Sequence, residues 1–380
     1  MLNKTKLLYI THSIQIGGVE VALISGIPAL FEKYDLTVLV LGTVDQKMVS
    51  HLTEPQKACI HAFDYPLWSY PVTLFKVLRF IGRIRPDVMI SSLWRASMVG
   101  TLAKRRWPNI RFISFVHSST FFHKLDKMFT VSALKHSDYI FTDCSATSEF
   151  VEKEYAPDRN IAVISFFTQK SPDHKSNPPL TKLEARFMFL GRLSQVKNLN
   201  LAADTIKYLR DRGIDAKLDL YGREDGALQS LNEQIKAHQL ENVIKYEGGL
   251  NIAQKQKAFQ QYHFLIQLSS NEGMAMSVAE AMQNGLVCFV TPVGEIRHYA
   301  GDMDTALFAD IWDPEKWRQS LEKLENCIRN PDIYQQISAN SFRHFQRVEL
   351  YSESLCKTID YVFVKEQDDF QPQKRVKVTG

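Results

Sequence analysis

The sequence predicts an α/β protein made of two domains, each built on a parallel sheet with helices on both faces. Three observations predict this class. Short apolar runs alternate with helical segments in both halves of the chain. A stretch at 169–182 with three prolines and no aromatic residue separates the two halves. The length of 380 residues, 45% of them hydrophobic, suits two domains with sizeable cores.

The first half begins with the strand Lys6–Ile10, and Gly17–Gly18 then open the helix Val19–Phe31. Thr73–Ile84 has apolar residues at helical spacing, and Pro86 ends it. Strands that alternate with helices indicate βαβ units and therefore a parallel sheet. Four further strands are predicted at Leu36–Leu41, Val88–Ser91, Arg111–Val116 and Tyr139–Thr142.

The second half repeats the alternation and predicts a second sheet of the same kind. Its predicted strands are Phe187–Leu190, Ala216–Tyr221, Val243–Tyr246, His263–Leu268 and Leu286–Thr291, and its predicted helices are Leu199–Arg212, Ala227–Gln239, Met276–Gln283 and much of 332–364. The predicted domain boundaries are 1–168 for the N-terminal domain, 169–182 for a linker, 183–345 for the C-terminal domain, 346–365 for a helix closing the two lobes and 366–380 for a loose tail.

Composition excludes several classes of protein. Apolar runs such as Val38–Leu41 are far shorter than the roughly 20 residues of a membrane span. The apolar stretch after Lys4 and Lys6 ends at Thr11, too early for a signal peptide. The five cysteines are scattered without a Cys-x-x-Cys pair, which favours a reducing cytoplasm over a disulfide framework or a zinc ribbon.

The net charge of +4 is unevenly distributed. Residues 1–170 carry 20 Lys and Arg against 14 Asp and Glu, whereas residues 171–380 carry 26 against 28. Within 76–111 there are nine basic residues and a single acidic one, Asp87. This excess suggests an anionic partner such as a membrane surface, with a solvated helix face as the alternative. Nucleic acid is not expected, because the basic segment contains no recognisable nucleic-acid-binding module.

The strongest chemical signal is Asn271–Met282, where two carboxylates lie eight residues apart across a strand–loop–helix junction. Glu272 lies on the loop, and a helix begins near Met276. Open α/β sheets bind ligands at the carboxyl ends of their strands, and a helix N-terminus suits a phosphate. Glu280 leans back toward the same end of the helix, where a carboxylate would suit ribose hydroxyls. Stabilisation of the helix dipole is the alternative explanation for Glu280.

A second signal is Gly191–Asn198, between a predicted strand and a predicted helix. Arg192 and Lys197 lie at the start of that helix, where the dipole disfavours cations. A bound pyrophosphate would resolve this conflict, with Arg192 contacting two oxygens and Lys197 acting as a point charge. The alternative is that both side chains turn into solvent.

A third and weaker signal is Gly17-Gly18-Val19-Glu20, at the start of the first helix. Paired glycines allow another group to approach the backbone closely. The Gly-x-Gly-x-x-Gly spacing of dinucleotide-binding folds is absent, and a tight turn is the alternative explanation.

Together, Gly-Gly-Val-Glu, Gly-Arg-Leu-Ser-Gln-Val-Lys-Asn and the spacing Glu272-x7-Glu280 resemble the retaining glycosyltransferases of family 4, also called glycosyl transferases group 1. The resemblance covers about residues 5–345, with the motifs in the family's order, and its C-terminal half is the specific part. It implies the GT-B fold, in which two Rossmann-like domains face a cleft.

The resemblance also implies the roles of residues around the donor. Arg192 and Lys197 match the pair that holds the donor diphosphate, and Glu272 matches the acidic catalytic residue near the transferred sugar. Glu280 matches the residue that binds the ribose. The remaining matches are the backbone of Met274, Ala275 and Met276 at the sugar and phosphates, and Gly249 and Leu250 near the base.

In the N-terminal domain, the resemblance implies that Gly17 and Gly18 face the diphosphate. His117 follows a predicted strand and matches the family's catalytic histidine at the acceptor side. A lone histidine at a strand end is otherwise more often structural.

The implied reaction moves a sugar from a nucleotide sugar to an acceptor and keeps the configuration at the anomeric carbon. Neither a metal nor another cofactor is expected, because fixed cations and a helix N-terminus would stabilise the departing diphosphate. Two departures leave the donor sugar open: Met274–Ser277 replaces the usual aromatic, Gly and Pro, and Tyr221–Asp225 replaces a Gly-x-Gly-Pro turn.

The resulting functional prediction is a cytoplasmic glycosyltransferase of surface polysaccharide or glycolipid biosynthesis. A UDP-sugar is favoured as the donor and GDP-mannose comes second, with a glycan or a lipid-linked acceptor. The basic N-terminal domain would then rest on the inner membrane face. The alternatives are a sugar-nucleotide epimerase of GT-B architecture and a non-catalytic GT-B subunit that binds a partner transferase.

Overall fold

The computed structural model describes residues 4–15, 17–64, 70–121, 123–180 and 183–364. The chain forms two compact units, one made of residues 1–168 and 349–380 and the other of residues 169–348. The tail predicted at 366–380 lies outside the described residues.

The first unit contains a sheet of seven parallel strands in the order β3-β2-β1-β4-β5-β6-β7. The central strands are buried along almost their whole length, because helices cover both faces of the sheet. The strands are β1 (Lys6–Thr11), β2 (Asp35–Val40), β3 (Ile60–Ala62), β4 (Val88–Ser92), β5 (Arg111–Val116), β6 (Tyr139–Thr142) and β7 (Ile161–Val163).

The helices of this unit form two layers. The connections from β3 through β7 all run in one direction across the sheet, and because crossovers between parallel strands are right-handed, the intervening helices α3, α4, α5 and α6 cover one face. The last helix, α14, packs on α1, where the ring of Tyr351 fills the space above Gly26. The helices are α1 (Gly18–Lys33), α2 (Glu54–Ala58), α3 (Tyr70–Ile84), α4 (Trp94–Arg106), α5 (Lys124–His136), α6 (Ser145–Glu154) and α14 (Tyr351–Val364).

The second unit contains six parallel strands in the order β10-β9-β8-β11-β12-β13. These strands are β8 (Glu184–Leu190), β9 (Asp215–Tyr221), β10 (Ile244–Gly248), β11 (Phe264–Gln267), β12 (Val287–Val290) and β13 (Leu307–Phe308). Its helices are α7 (Leu199–Asp211), α8 (Leu228–Ala237), α9 (Ile252–Phe259), α10 (Met276–Gln283), α11 (Ile296–Tyr299), α12 (Pro314–Arg329) and α13 (Pro331–His344). The two parallel sheets confirm the predicted fold class.

The sequence-based boundaries differ from the structure in two places. The described part of the predicted linker packs within the second unit: the Asn177 amide donates to the Tyr334 hydroxyl at 2.6 Å, and the Ser176 hydroxyl donates to Asn284 Oδ1 at 2.9 Å. The helical region predicted at 332–364 consists of α13, a 3-10 turn and α14, and α14 belongs to the first unit. Proline content alone therefore did not reveal that the stretch is anchored by polar side chains.

One close backbone approach fixes how β8 and β9 end. Gly222 follows β9 with a φ of +138°, and a Cβ atom placed there would lie 1.7 Å from the carbonyl oxygen of Gly191, which follows β8. Both the backbone conformation and the lack of space require glycine at this position. The loops that leave the two strands are therefore held side by side.

We expect Gly222→Ala to lower the free energy of unfolding by about 2–4 kcal/mol, because it combines a strained φ with a backbone clash. Urea unfolding of the full chain measures this loss. Gly249→Ala is the matched control, since a Cβ atom at Gly249 meets nothing within 4 Å. Equal stability of the two variants would contradict the assigned role of Gly222.

Candidate active site

The carboxyl ends of β8 and β11 bring two of the predicted motifs together. A 3-10 turn, Gln195–Lys197, follows β8, and Asn198 then adopts a left-handed conformation with φ of +48° before α7 begins. The Asn198 amide donates to the Leu268 carbonyl at 2.9 Å, just after β11. This bond holds the Lys197 loop beside the loop that carries Glu272.

Lys197 and Glu272 form an ion pair between these two loops. The Lys197 ammonium donates to Glu272 Oε1 at 2.6 Å, and the two side chains are only 15% and 8% exposed. The same oxygen accepts from the Gln267 amide and the Ser269 hydroxyl, each at 2.5 Å. Gln267 is oriented in turn by Ser277, whose hydroxyl donates to its amide oxygen at 2.8 Å. Glu272 is therefore fixed by three donors at one oxygen.

Gly294 packs closely against the backbone of the same loop. Its φ is +58°, and a Cβ atom there would lie 2.3 Å from the carbonyl oxygen of Glu272 and 2.5 Å from that of Gly273. The Glu295 amide donates to the Gly273 carbonyl at 2.9 Å. The loop after β12 therefore holds the Glu272 loop in place.

The N-terminus of α10 faces this loop. Ala275 caps the helix in a left-handed conformation with φ of +53°, and the Tyr299 hydroxyl donates to its carbonyl at 3.2 Å. Such a conformation costs a non-glycine residue about 1–3 kcal/mol, and strained residues of this kind cluster at functional sites. The first N–H groups of a helix, here those of Met276 and Ser277, have no acceptor within it. Met274 and Ala275 are themselves buried, and the free N–H groups of the first turn of α10 are suited to bind an anionic ligand.

Arg192 differs from Lys197 in its surroundings. Its side chain is 59% exposed and pairs with Asp225, on the loop after β9, at 3.1 Å. A carboxylate therefore compensates each of the two cations near the start of α7, which explains how the chain tolerates them against the helix dipole. The interpretation that the side chain turns outward fits Arg192 but not the buried Lys197.

Glu280 has a partner that the sequence did not indicate. Lys255, on α9, donates to Glu280 Oε1 at 2.5 Å, and the two side chains are 20% and 17% exposed. Gly249 and Leu250 form the loop that leads into α9, and Gly249 is exposed. The dipole of α10 therefore does not account alone for the position of Glu280.

In the first unit, His117 lies just after β5 in an aromatic enclosure. Its ring centroid is 4.3 Å from that of Phe115 and 5.4 Å from that of Phe166. Its Nε2 lies 2.7 Å from the Ser92 hydroxyl, and its Nδ1 has no hydrogen-bond partner among the residues that the structure describes. Burial lowers the pKa of His117 to about 3, so the ring is neutral at pH 7.

The Glu20 side chain lies against the first glycine of the pair Gly17–Gly18 at the start of α1. A Cβ atom at Gly17 would lie 2.3 Å from a carboxyl oxygen of Glu20, whereas one at Gly18 would meet nothing within 4 Å. Burial raises the pKa of Glu20 above its ordinary value. The Glu20 carboxyl therefore occupies the space beside Gly17, and Gly18 leaves open space above the backbone.

The structure joins the predicted residues into separate groups. Glu272 lies with Lys197 at the N-terminus of α10, Arg192 pairs with Asp225, and Glu280 pairs with Lys255. Sequence reasoning missed the partners Gln267, Ser269, Lys255 and Ser92 and the supporting Gly294; only Gly294, three residues after a predicted strand, offered a signal. Across the described ranges, no three His, Cys, Asp or Glu side chains are grouped so as to hold a metal ion, and the expectation of metal independence stays a prediction.

Comparisons with known families identify the class. Residues 16–166 match the model of "Glycosyltransferase Family 4", and residues 171–344 match that of "Glycosyl transferases group 1". Together the two matches span most of the chain. The protein therefore belongs to the group 1, family 4 glycosyltransferases, and the expected family is confirmed. A search of curated protein sequences gave no match.

Solved structures show the same GT-B fold. HepE from Anabaena, in complex with UDP-glucose, is 17% identical and has a TM-score of 0.75, covering 94% of this chain and 99% of its own. A glycosyltransferase from Rickettsia africae is 14% identical, with a TM-score of 0.74 and coverages of 97% and 100%. Sucrose-phosphate synthase from Thermosynechococcus elongatus is 12% identical, with a TM-score of 0.74 and coverages of 96% and 100%. At these identities the similarity establishes the fold.

The enclosure of His117 predicts a pH effect on stability. In the unfolded chain His117 takes up a proton as the pH falls below about 6.5, whereas the folded ring stays neutral until about pH 3. Its contribution to stability is therefore complete above pH 6.5 and is lost as the pH falls toward 3. Between pH 7 and pH 5 this loss amounts to about 2 kcal/mol.

His117→Gln should remove that part of the acid sensitivity, as measured by urea unfolding at pH 7 and pH 5. The exposed His51, replaced in the same way, is the control. An unchanged pH dependence in His117→Gln would show that the ring becomes charged in the folded protein.

Proposed function

We propose that the protein is a retaining, metal-independent glycosyltransferase that transfers a sugar from a nucleoside diphosphate sugar to a glycan or lipid-linked acceptor. A UDP-sugar is the favoured donor and a GDP-mannose donor is second. The pathway is the synthesis of a surface polysaccharide or glycolipid, and the enzyme acts in the cytoplasm at the inner membrane face. The observation that carries the proposal is the mostly buried pair of Lys197 and Glu272 beside the N-terminus of α10.

This arrangement suits a diphosphate leaving group. An ammonium has three donors, and Lys197 uses one of them on Glu272, which leaves two for phosphate oxygens. The N–H groups of Met276 and Ser277 and the positive end of the α10 dipole add fixed donors. Arg192 can exchange its exposed pair with Asp225 for a phosphate, because such surface pairs contribute only about 0–1 kcal/mol. Fixed donors of this kind stabilise charge as it develops on the departing group.

The proposed reaction breaks the bond between the anomeric carbon and the diphosphate oxygen and forms a bond to the acceptor oxygen on the same face of the sugar. The proton of the acceptor hydroxyl passes to the departing phosphate oxygen. Glu272 lies near the transferred sugar and stabilises the positive charge that develops at the anomeric carbon. The neutral ring of His117 orients the acceptor, and Glu280, Gly249 and Leu250 bind the ribose and base. Gly17 and Gly18 allow the diphosphate to approach the backbone.

The donor assignment has some support from HepE, whose structure was determined with UDP-glucose. Met274–Ser277 stands where the family often has an aromatic residue, Gly and Pro, so the sugar itself is left open.

We expect slow release of nucleoside diphosphate when the protein is incubated with UDP-, GDP- and ADP-sugars without acceptor. Release should occur from one donor and fall at least about 100-fold in Glu272→Ala, because the catalytic carboxylate is lost. Chromatography of the free nucleotide measures it. Glu241→Ala, a change at an exposed carboxylate, is the control. Equal release by Glu272→Ala would contradict its role, and absence of both release and nucleotide binding would favour a non-catalytic subunit.

The membrane part of the proposal rests on one face of the first unit. Helices α3 to α6 on this face together carry eleven Lys and Arg against four acidic residues, the buried Asp126 and three Glu of α6. By contrast, α1 and α2 on the other side of the unit carry two basic and three acidic residues. Within the described ranges, no helix is long and apolar enough to cross a bilayer. The one-sided charge therefore supports attachment to an anionic surface.

The same face exposes large apolar side chains. Val72 and Phe75 on α3 are 57% and 65% exposed, and Leu125 and Met128 on α5 are 51% and 52% exposed. All four lie in the first two turns of their helices, at the carboxyl edge of the sheet. Apolar side chains among basic ones are typical of helices that lie in a membrane interface.

Reversal of four basic residues on this face should weaken binding to phosphatidylserine vesicles at least about tenfold, because each Lys or Arg near such a surface contributes about 1 kcal/mol. Vesicle co-sedimentation measures the binding. The charge-reversed positions are Arg79, Arg83, Arg105 and Arg106. The control reverses four exposed cations of the second unit: Lys236, Lys245, Lys257 and Arg347.

Because the control changes the net charge equally, its binding should stay close to that of the parent protein. Similar losses in both variants would mean that net charge alone drives attachment. Unchanged binding in the first variant would overturn the membrane proposal.

A further inference from the structure

The pair of Lys255 and Glu280 is mostly buried, yet its hydrogen-bonding capacity is only partly used. Their side chains are 20% and 17% exposed and meet at 2.5 Å. Among the residues that the structure describes, neither side chain has a second hydrogen-bond partner. An ammonium has three donors and a carboxylate has about four acceptor positions. Several polar positions at this site are therefore available to a ligand.

The pair is not the only side-chain bond between α9 and the end of α10. The first turn of α9 is already fixed by Asn251, which accepts from the Gln254 amide at 2.9 Å while the Gln254 side chain accepts from the Asn251 amide at 2.9 Å. A second bond joins α9 to α10, from the Gln256 amide to Asn284 Oδ1 at 3.2 Å. Mostly buried ion pairs can often be replaced by apolar residues without loss of stability. The presence of the Lys255–Glu280 pair therefore indicates a role beyond holding α9 against α10.

The position of the pair along α10 matches the layout of a nucleotide. Glu280 lies four residues after Met276, which places it about 6 Å along the helix axis from the N-terminal N–H groups. A nucleoside diphosphate held with its phosphates at that N-terminus carries its ribose next to them. The ribose hydroxyls can each donate one hydrogen bond and accept others.

We propose that Lys255 is a second ribose-binding residue, acting with Glu280 as a recognition pair for the ribose diol of the donor nucleotide. This inference rests on the proposed donor-binding function. Glu280 accepts a hydrogen bond from one hydroxyl, and Lys255 donates to the oxygen of the other while keeping its bond to Glu280. The pair thereby requires both hydroxyls, because a deoxyribose leaves one mostly buried charged group without its ligand partner.

Lys255→Met tests this inference, because it keeps the length of the side chain and removes the donors. Calorimetric titration with UDP and with GDP should show a loss of affinity of about tenfold or more for whichever nucleotide the parent protein binds. Lys255→Arg should restore part of the affinity. Lys257→Met is the matched control, since Lys257 lies on the same helix and is exposed.

The decisive measurement compares each nucleotide with its 2′-deoxy and 3′-deoxy forms. The parent protein should bind at least one deoxy form about tenfold or more weakly, and Lys255→Met should reduce this ratio. A tether between helices would shift the melting temperature and leave the ratio unchanged. The inference is therefore overturned if Lys255→Met binds the nucleotide as the parent does, or keeps the parent's ratio.

The two proposals fail differently. If the parent protein binds neither UDP nor GDP, the proposed donor site fails, and this inference fails with it. If the parent binds one of them and Glu280→Gln weakens that binding while Lys255→Met does not, the donor site stands and only the role of Lys255 is overturned.

Discussion

The arrangement of the loops at the strand ends of the second domain depends on hydrogen bonds to one carboxylate, that of Glu272. Glu272 is largely buried, and such a charge is costly unless donors surround it. Its three donors come from the loop after β8, the end of β11 and the loop between β11 and α10. Removing one partner of a buried pair costs about 3–5 kcal/mol, so these segments constrain each other strongly. The close packing of Gly294 beneath the same loop adds a steric constraint to the electrostatic one.

The fold was largely predictable because buried parallel strands are continuous apolar runs. Arg111–Val116 and Tyr139–Thr142 were predicted with the observed ends. By contrast, β3 and β7 were missed: both are three-residue strands with no buried side chain, so no apolar run marks them. The stretch 169–180 was misjudged for the opposite reason, since polar residues such as Asn177 anchor it.

Site residues were predictable where a residue type is electrostatically unfavourable at its position in the local structure. Lys197 is identifiable from the sequence because a cation is unfavourable at the N-terminus of the following helix. In the structure it pairs with a carboxylate 75 residues away. Gln267, Ser269 and Lys255 carry no such local conflict. The contacts of Gln267 and Ser269 with Glu272 span only five and three residues but depend on how the loop after β11 folds, whereas the Lys255 contact joins helices 25 residues apart in sequence. A single sequence shows the conflict but not the partner that resolves it.

The strand-end site around Lys197 and the one around His117 differ in their electrostatics. The second domain presents charged pairs, with Lys197 held rigidly and Arg192 exposed and exchangeable. At the end of β5 in the first domain the polar groups are neutral: Ser92 contacts His117, whose burial keeps it uncharged. A diphosphate that gains negative charge is stabilised by fixed cations, whereas a neutral hydroxyl needs orientation and no net charge. The contrast therefore supports a donor site in the second domain and an acceptor site in the first.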